Sequence, residues 1–152
     1  MRAINHALTG ATIGLLVDEP IAAVPLSLVS HYVCDVIPHY GAGLPEEQEI
    51  NTTTFRVLLA LDFILCVALV VVLALKRPKN WLLAAICAFV ATSPDLASIG
   101  RYRAGRKRIK SKPNRYVVLA KRIQLYEKPP GAVVEVVWFA SFIIILSILI
   151  KR

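Results

Sequence analysis

Apolar residues along the chain gather into long blocks with short polar breaks between them. Five such blocks stand out, at residues 3–17, 20–37, 55–75, 81–99 and 132–150. The first, AINHALTGATIGLLV, is short for a membrane crossing, which needs about 20 residues. Asp18 and Glu19 interrupt it, and Pro20 suits the first turn of the next helix. That helix is expected to run to about Ile37, just before Pro38, so the first two segments form either two crossings or a short re-entrant hairpin. A polar stretch with Glu46, Glu47 and Glu49 comes next, and Thr52–Thr54 offer N-caps for the third segment. That segment, FRVLLALDFILCVALVVVLAL, has full transmembrane length. KRPKN ends it, with Asn80 placed to cap the fourth, and Trp81 suits a membrane interface. Residues 101–128 make a basic, proline-containing connector whose second half reads as an interfacial helix. Pro129-Pro130-Gly131 breaks the chain before the last segment. The pattern predicts an all-α polytopic membrane bundle of about five apolar helices, with residues 1–152 as one integral-membrane domain.

Composition supports that picture. The chain has 152 residues, 57% of them hydrophobic, and a mean hydropathy of +0.62. A charge at mid-membrane costs roughly 2.5 to 3.5 kcal/mol, so long uncharged stretches are what a bilayer selects. The net charge is +8. Because the basic residues flank apolar spans, the expected partners are membrane lipids, with anionic headgroups at 101–128; no specific nucleic acid is expected. Cys34, Cys66 and Cys87 sit in apolar runs without a CxxC, and read as small buried hydrophobes. No cleavable signal peptide is expected. The excess of Lys and Arg in the connector assigns its side to the cytoplasm.

Candidate chemistry appears when the segments alternate across the bilayer. His6 begins the first segment; His31, Asp35 and His39 end the second; Asp62 lies one to two turns into the third; Asp95 ends the fourth; Glu135 begins the fifth. All of them then fall at one membrane face. Intramembrane ionisable groups normally line a bundle interior and mark function. His31 and Asp35 are four residues apart, on one helical stripe, so they can share an ion. Imidazole and carboxylate together suit zinc first, with manganese or iron as alternatives. The site is expected to use His6, His31, Asp35, His39 and Asp95 as metal ligands, with Asp62 or His39 as ligand or base. Each residue also has a plain structural role open to it. His31 can be a hydrogen-bonded interface histidine. Asp35 can cap a helix or pair with an Arg of the connector. Asp95 after Ser93-Pro94 can belong to a helix-breaking turn. Glu135 can favour the macrodipole at a helix start. Arg56 is on the wrong face to pair with Asp62, and Ser30 and His31 point apart, so they are no nucleophile–base pair. No GxGxxG, Walker or GxSxG motif is present.

The motifs NHALTGATIG and SHYVCDVIPHYG, an Asp in a later span and the SPD turn resemble a family of small bacterial integral-membrane metal-dependent hydrolases. These are described as LexA-binding, inner-membrane-associated hydrolases, thought to be related to the zinc-dependent phospholipase C and P1-nuclease superfamily. His6, His31, Asp35, His39 and Asp95 carry the resemblance; Asp62 matches less specifically. Where the family's closing section can have a His before Ile-Gln, this chain has Ala120 or Lys121. The resemblance implies a helical fold, a His/Asp metal site, a bacterial inner-membrane location and hydrolysis of a phosphoester or lipid-linked substrate. The alternative is a non-catalytic membrane protein with a structural polar or metal site whose basic loop binds lipid or a partner. A transporter fits less well, since the polar groups cluster on one side.

Overall fold

A computed structural model of the chain describes residues 1–41, 48, 50–96 and 128–151. Among them are five helices and no strand: α1 Ala3–Leu16, α2 Pro20–Val36, α3 Thr53–Lys76, α4 Trp81–Leu96 and α5 Gly131–Leu149. The all-helical expectation holds. Glu46, Glu47, Glu49 and the connector at 101–127 lie outside the described residues, and so does any helix there.

The local signals explain most helix ends. Thr52 caps α3, its hydroxyl accepting from the Phe55 N–H at 3.1 Å. Pro20 opens α2, where its missing N–H costs nothing. Arg77, at φ 47°, closes α3 in the left-handed conformation that Gly usually takes. Asn80 does not cap α4 with its side chain: its amide donates to Asp18 across the turn. Nor does Ser93-Pro94 break α4, which runs through to Leu96. A proline removes the bond to the carbonyl four residues back. Here that carbonyl is Val90's, and it accepts from the Ser93 hydroxyl at 2.8 Å instead.

α1 is the hub. Ten of its fourteen residues are buried, and it packs against all four other helices. Its closest neighbour is α4, for a steric reason. A Cβ on Gly10 would stand 2.3 Å from the Cys87 carbonyl oxygen, and one on Gly14 would stand 2.5 Å from the Ala84 Cα. Gly10 and Gly14 therefore form a GxxxG face that lets two backbones approach, against Ala84, Cys87 and Ala91.

The distribution of polarity is inverted. Asn5, His6, Ser27, His31, Asp35, Asp62 and Glu135 are buried, while Phe63, Leu75 and Val133 are about 70% exposed or more. α3 has three buried residues of 24 and α5 three of 19. Only these two are long and apolar enough to cross a membrane among the described helices. The expected bundle of about five crossings is thus supported for two helices among those described. α1 has 14 residues, roughly 21 Å at 1.5 Å each, against a hydrocarbon core of about 30 Å. α2 and α4, at 17 and 16 residues, are also short.

A candidate metal centre

The start of α1, the ends of α2 and α4 and the starts of α3 and α5 meet at one end of the bundle. His6 points from α1 towards α2, and its ring stacks on that of His31, with centroids 4.1 Å apart. His31 Nδ1 lies 2.8 Å from the Ala91 carbonyl oxygen. A carbonyl only accepts, so Nδ1 carries the proton and Nε2 is the bare nitrogen of the neutral ring. That Nε2 faces Asp35 Oδ2 at 3.3 Å and Asp95 Oδ1 at 4.0 Å. His6 Nε2 is 3.2 Å from Asp35 Oδ1. Neither nitrogen of this fully buried His6 has a hydrogen bond of good geometry.

These distances have a chemical meaning. Four ligands held 2.0–2.1 Å from a zinc ion at the centre of a tetrahedron stand about 3.3 Å from one another. Asp35 comes to that spacing with a different oxygen for each imidazole, Oδ1 towards His6 and Oδ2 towards His31. One ligand atom each from His6, His31 and Asp95 lies within 4.8 Å of the other two. A bare imidazole nitrogen facing carboxylate oxygens is repulsive unless a proton or a cation lies between them. The donor set therefore fits a divalent ion, which would also give the orphaned His6 nitrogen a partner. Asp95 is the loosest member. Its side chain is 36% exposed, against 0%, 3% and 6% for His6, His31 and Asp35, so the cluster opens beside it.

The other expected residues stand nearby in different roles. Asp62 has both oxygens taken by Arg2 Nε, at 3.0 and 3.3 Å, while Arg2 Nη2 also donates to the Leu58 carbonyl at 3.1 Å. Arg56 is not its partner. Glu135 lies beyond the first turn of α5 and accepts the Arg2 backbone N–H at 3.0 Å, so it ties α5 to α1 and does not serve the helix dipole. Asp35 receives the Met1 amino group at 2.6 Å; any Arg partner in the connector lies outside the described residues. His39 is outside the three-residue cluster. Its Nδ1 donates to the Ile37 carbonyl at 2.8 Å, and burial, with the nearby amino terminus, holds its pKa below the ordinary imidazole value. Its backbone is strapped to α5: the His39 carbonyl accepts from Lys128 N–H at 3.0 Å. A Cβ on Gly131 would stand only 2.1 Å from that carbonyl, so glycine is required there.

Sequence reasoning did not single out Arg2, Asn5 or Thr9. Asn5 donates to the Glu135 carbonyl at 3.2 Å. The Thr9 hydroxyl accepts from Trp138 Nε1–H at 3.1 Å, joining α5 to α1. The available signal was position: all three are polar residues in or beside the apolar segment that carries His6. Comparison with known protein families, curated proteins and solved structures finds no match.

Proposed function

We propose that this chain is an integral-membrane protein with a divalent-metal centre at one membrane face, used to hydrolyse a phosphoester or lipid-linked substrate. The observation that carries the metal centre is one ligand atom each from His6, His31 and Asp95 within 4.8 Å of the other two, with the fully buried His6 nitrogens lacking a hydrogen bond of good geometry. Membrane residence is supported by the length of α3 and α5 and by the many large apolar side chains that both leave exposed.

His6, His31, Asp35 and Asp95 would hold the ion, zinc by its donor set. A bound zinc would supply Lewis acidity towards a phosphoryl oxygen and acidify water. The chain's own residues do the rest. The Ala91 carbonyl fixes the His31 tautomer. The exposed Asp95 edge admits substrate. His39, neutral and with Nε2 free of its Ile37 bond, is the candidate proton acceptor. Asp62 is held by Arg2 and serves the frame of the site.

The test is elemental analysis of detergent-purified protein, wild type beside His31→Ala, then hydrolysis of a generic phosphodiester. Near-stoichiometric metal that falls in the variant, with turnover that falls alongside it, is the expected result. Absence of metal after add-back would remove the centre. Metal without turnover on any phosphoester would leave the centre and remove the hydrolase.

One observation favours a second reading. The Met1 amino group already places positive charge on Asp35 Oδ1. The cluster would then be a structural ion network that locks α1 to α2, without a metal. Acetylating or extending the amino terminus would destabilise that network and spare a metal-held one.

A further inference from the structure

α3 and α5 both rest on α1 and scarcely touch each other. Between them runs a groove that none of His6, His31, Asp35 or Asp95 lines. It comprises two cavities of about 430 and 580 Å³ that share Ile4, Leu65 and Phe139, so they form one channel open to the side. Along α3 its wall extends from Thr54 to Lys76, roughly 33 Å at 1.5 Å per residue, slightly more than the thickness of a hydrocarbon core. The walls between are almost wholly apolar.

The two ends differ in charge. At the metal-centre end, the Arg2 guanidinium is paired with Asp62, and the Glu135 carboxylate accepts the Arg2 backbone N–H. At the far end stand Lys76 and Lys151, exposed, with no carboxylate partner among the described residues. Lysines at a membrane interface can lay their stems on an apolar wall and keep their ammonium groups in the headgroup region.

We propose that this groove seats one acyl chain of an anionic phospholipid from the leaflet on the Lys76 side, with the phosphate held between Lys76 and Lys151. The apolar channel accounts for the chain. The two cations, without a carboxylate partner among the described residues, account for an anionic headgroup, since a zwitterionic one would bring its own positive charge to them. The proposal rests on membrane residence and is independent of the metal centre.

The test is native mass spectrometry of the full chain in mild detergent, titrated with phosphatidylglycerol or phosphatidylcholine. Three forms are compared: wild type, Lys76→Gln/Lys151→Gln, and Ala68→Phe, which fills the groove from an exposed wall position. Carbonate washing of membranes from each form reports residence separately, and thermal melting reports folding. Wild type should prefer phosphatidylglycerol by about 10- to 30-fold. The double variant should lose the preference, and Ala68→Phe should lose both lipids while melting like wild type. Equal retention by all three forms, or no headgroup preference in wild type, would overturn the groove while membrane residence stands. Release of the wild type by carbonate would overturn both.

Discussion

His31 Nδ1 lies 2.8 Å from the carbonyl oxygen of Ala91, a bond that crosses from α2 to α4. The acceptor sits in the turn that Pro94 disturbs. Pro94, three residues on, cannot donate into the α4 ladder, and its ring crowds the preceding turn. The S-P-D stretch places Asp95 one turn beyond the Ala91 carbonyl, the group that orients His31. Outer-shell partners of this kind typically govern metal affinity by 10- to 100-fold. Pro94→Ala should keep the helical content and weaken zinc binding by about that factor, read by competition with a chromogenic chelator. Unchanged affinity would remove Pro94 from the site.

Arg2 and Asp62 form a partly buried ion pair at 3.0 Å, with side chains 24% and 10% exposed. Truncating one partner of a buried pair strands the other charge, at a cost of about 3 to 5 kcal/mol. Arg2→Ala should lower stability by that order in a reversible denaturant titration. Asp62→Asn in the Arg2→Ala background should recover most of it. Additive losses in the double variant would show that the pair is not coupled.

Gly10 faces the Cys87 carbonyl with no room for a side chain. Gly10→Val should separate α1 from α4, cost at least about 2 to 3 kcal/mol and lower the melting temperature. It should also weaken the metal centre, because His6 and Asp95 sit on those two helices. A variant that melts like wild type would contradict the close α1–α4 approach.

Asp18 and Lys79, bonded at 3.0 Å, are both largely exposed. Lys79 and Asn80 hold the Asp18 carboxyl below its ordinary pKa. Linkage gives the sign: any stabilisation is present above the usual Asp value of about 4 and is lost as pH falls through the lower folded value. Solvent and salt screen such a pair. Asp18→Asn should therefore leave the melting temperature at pH 7 unchanged, in contrast to Arg2→Ala. A large drop would mean that this turn is more enclosed than its exposure indicates.

The helices were legible because apolar blocks and their Pro, Asp and Thr breaks are local signals. His31 and Asp35 were legible for the same reason, since four-residue spacing is a property of one helix. His6 and Asp95 were reached through the alternation of segments and the family resemblance, not through any local rule. Arg2 was invisible because its partners Asp62 and Glu135 are 60 and 133 residues away. The Gly10–Gly14 spacing lay in the sequence, yet what it packs against is a tertiary fact. Ser93-Pro94 suggested a break, and the Ser93 hydroxyl, by occupying the freed Val90 carbonyl, let the helix continue. Segment lengths were legible too, but a short apolar segment does not reveal whether lipid or protein surrounds it; for α1 the answer is protein.

The burial of α1 sets the order of synthesis against the order of packing. Seventy-seven residues separate Gly10 from Cys87, the group it must meet. At about 5–20 residues per second, some 4 to 15 seconds pass before that partner leaves the ribosome. During that wait a helix carrying Asn5, His6, Thr9 and Thr12 has no finished interior to enter. The newly made chain must shelter its first helix until its fourth arrives, and biogenesis, more than the finished fold, is where this architecture is most exposed to failure.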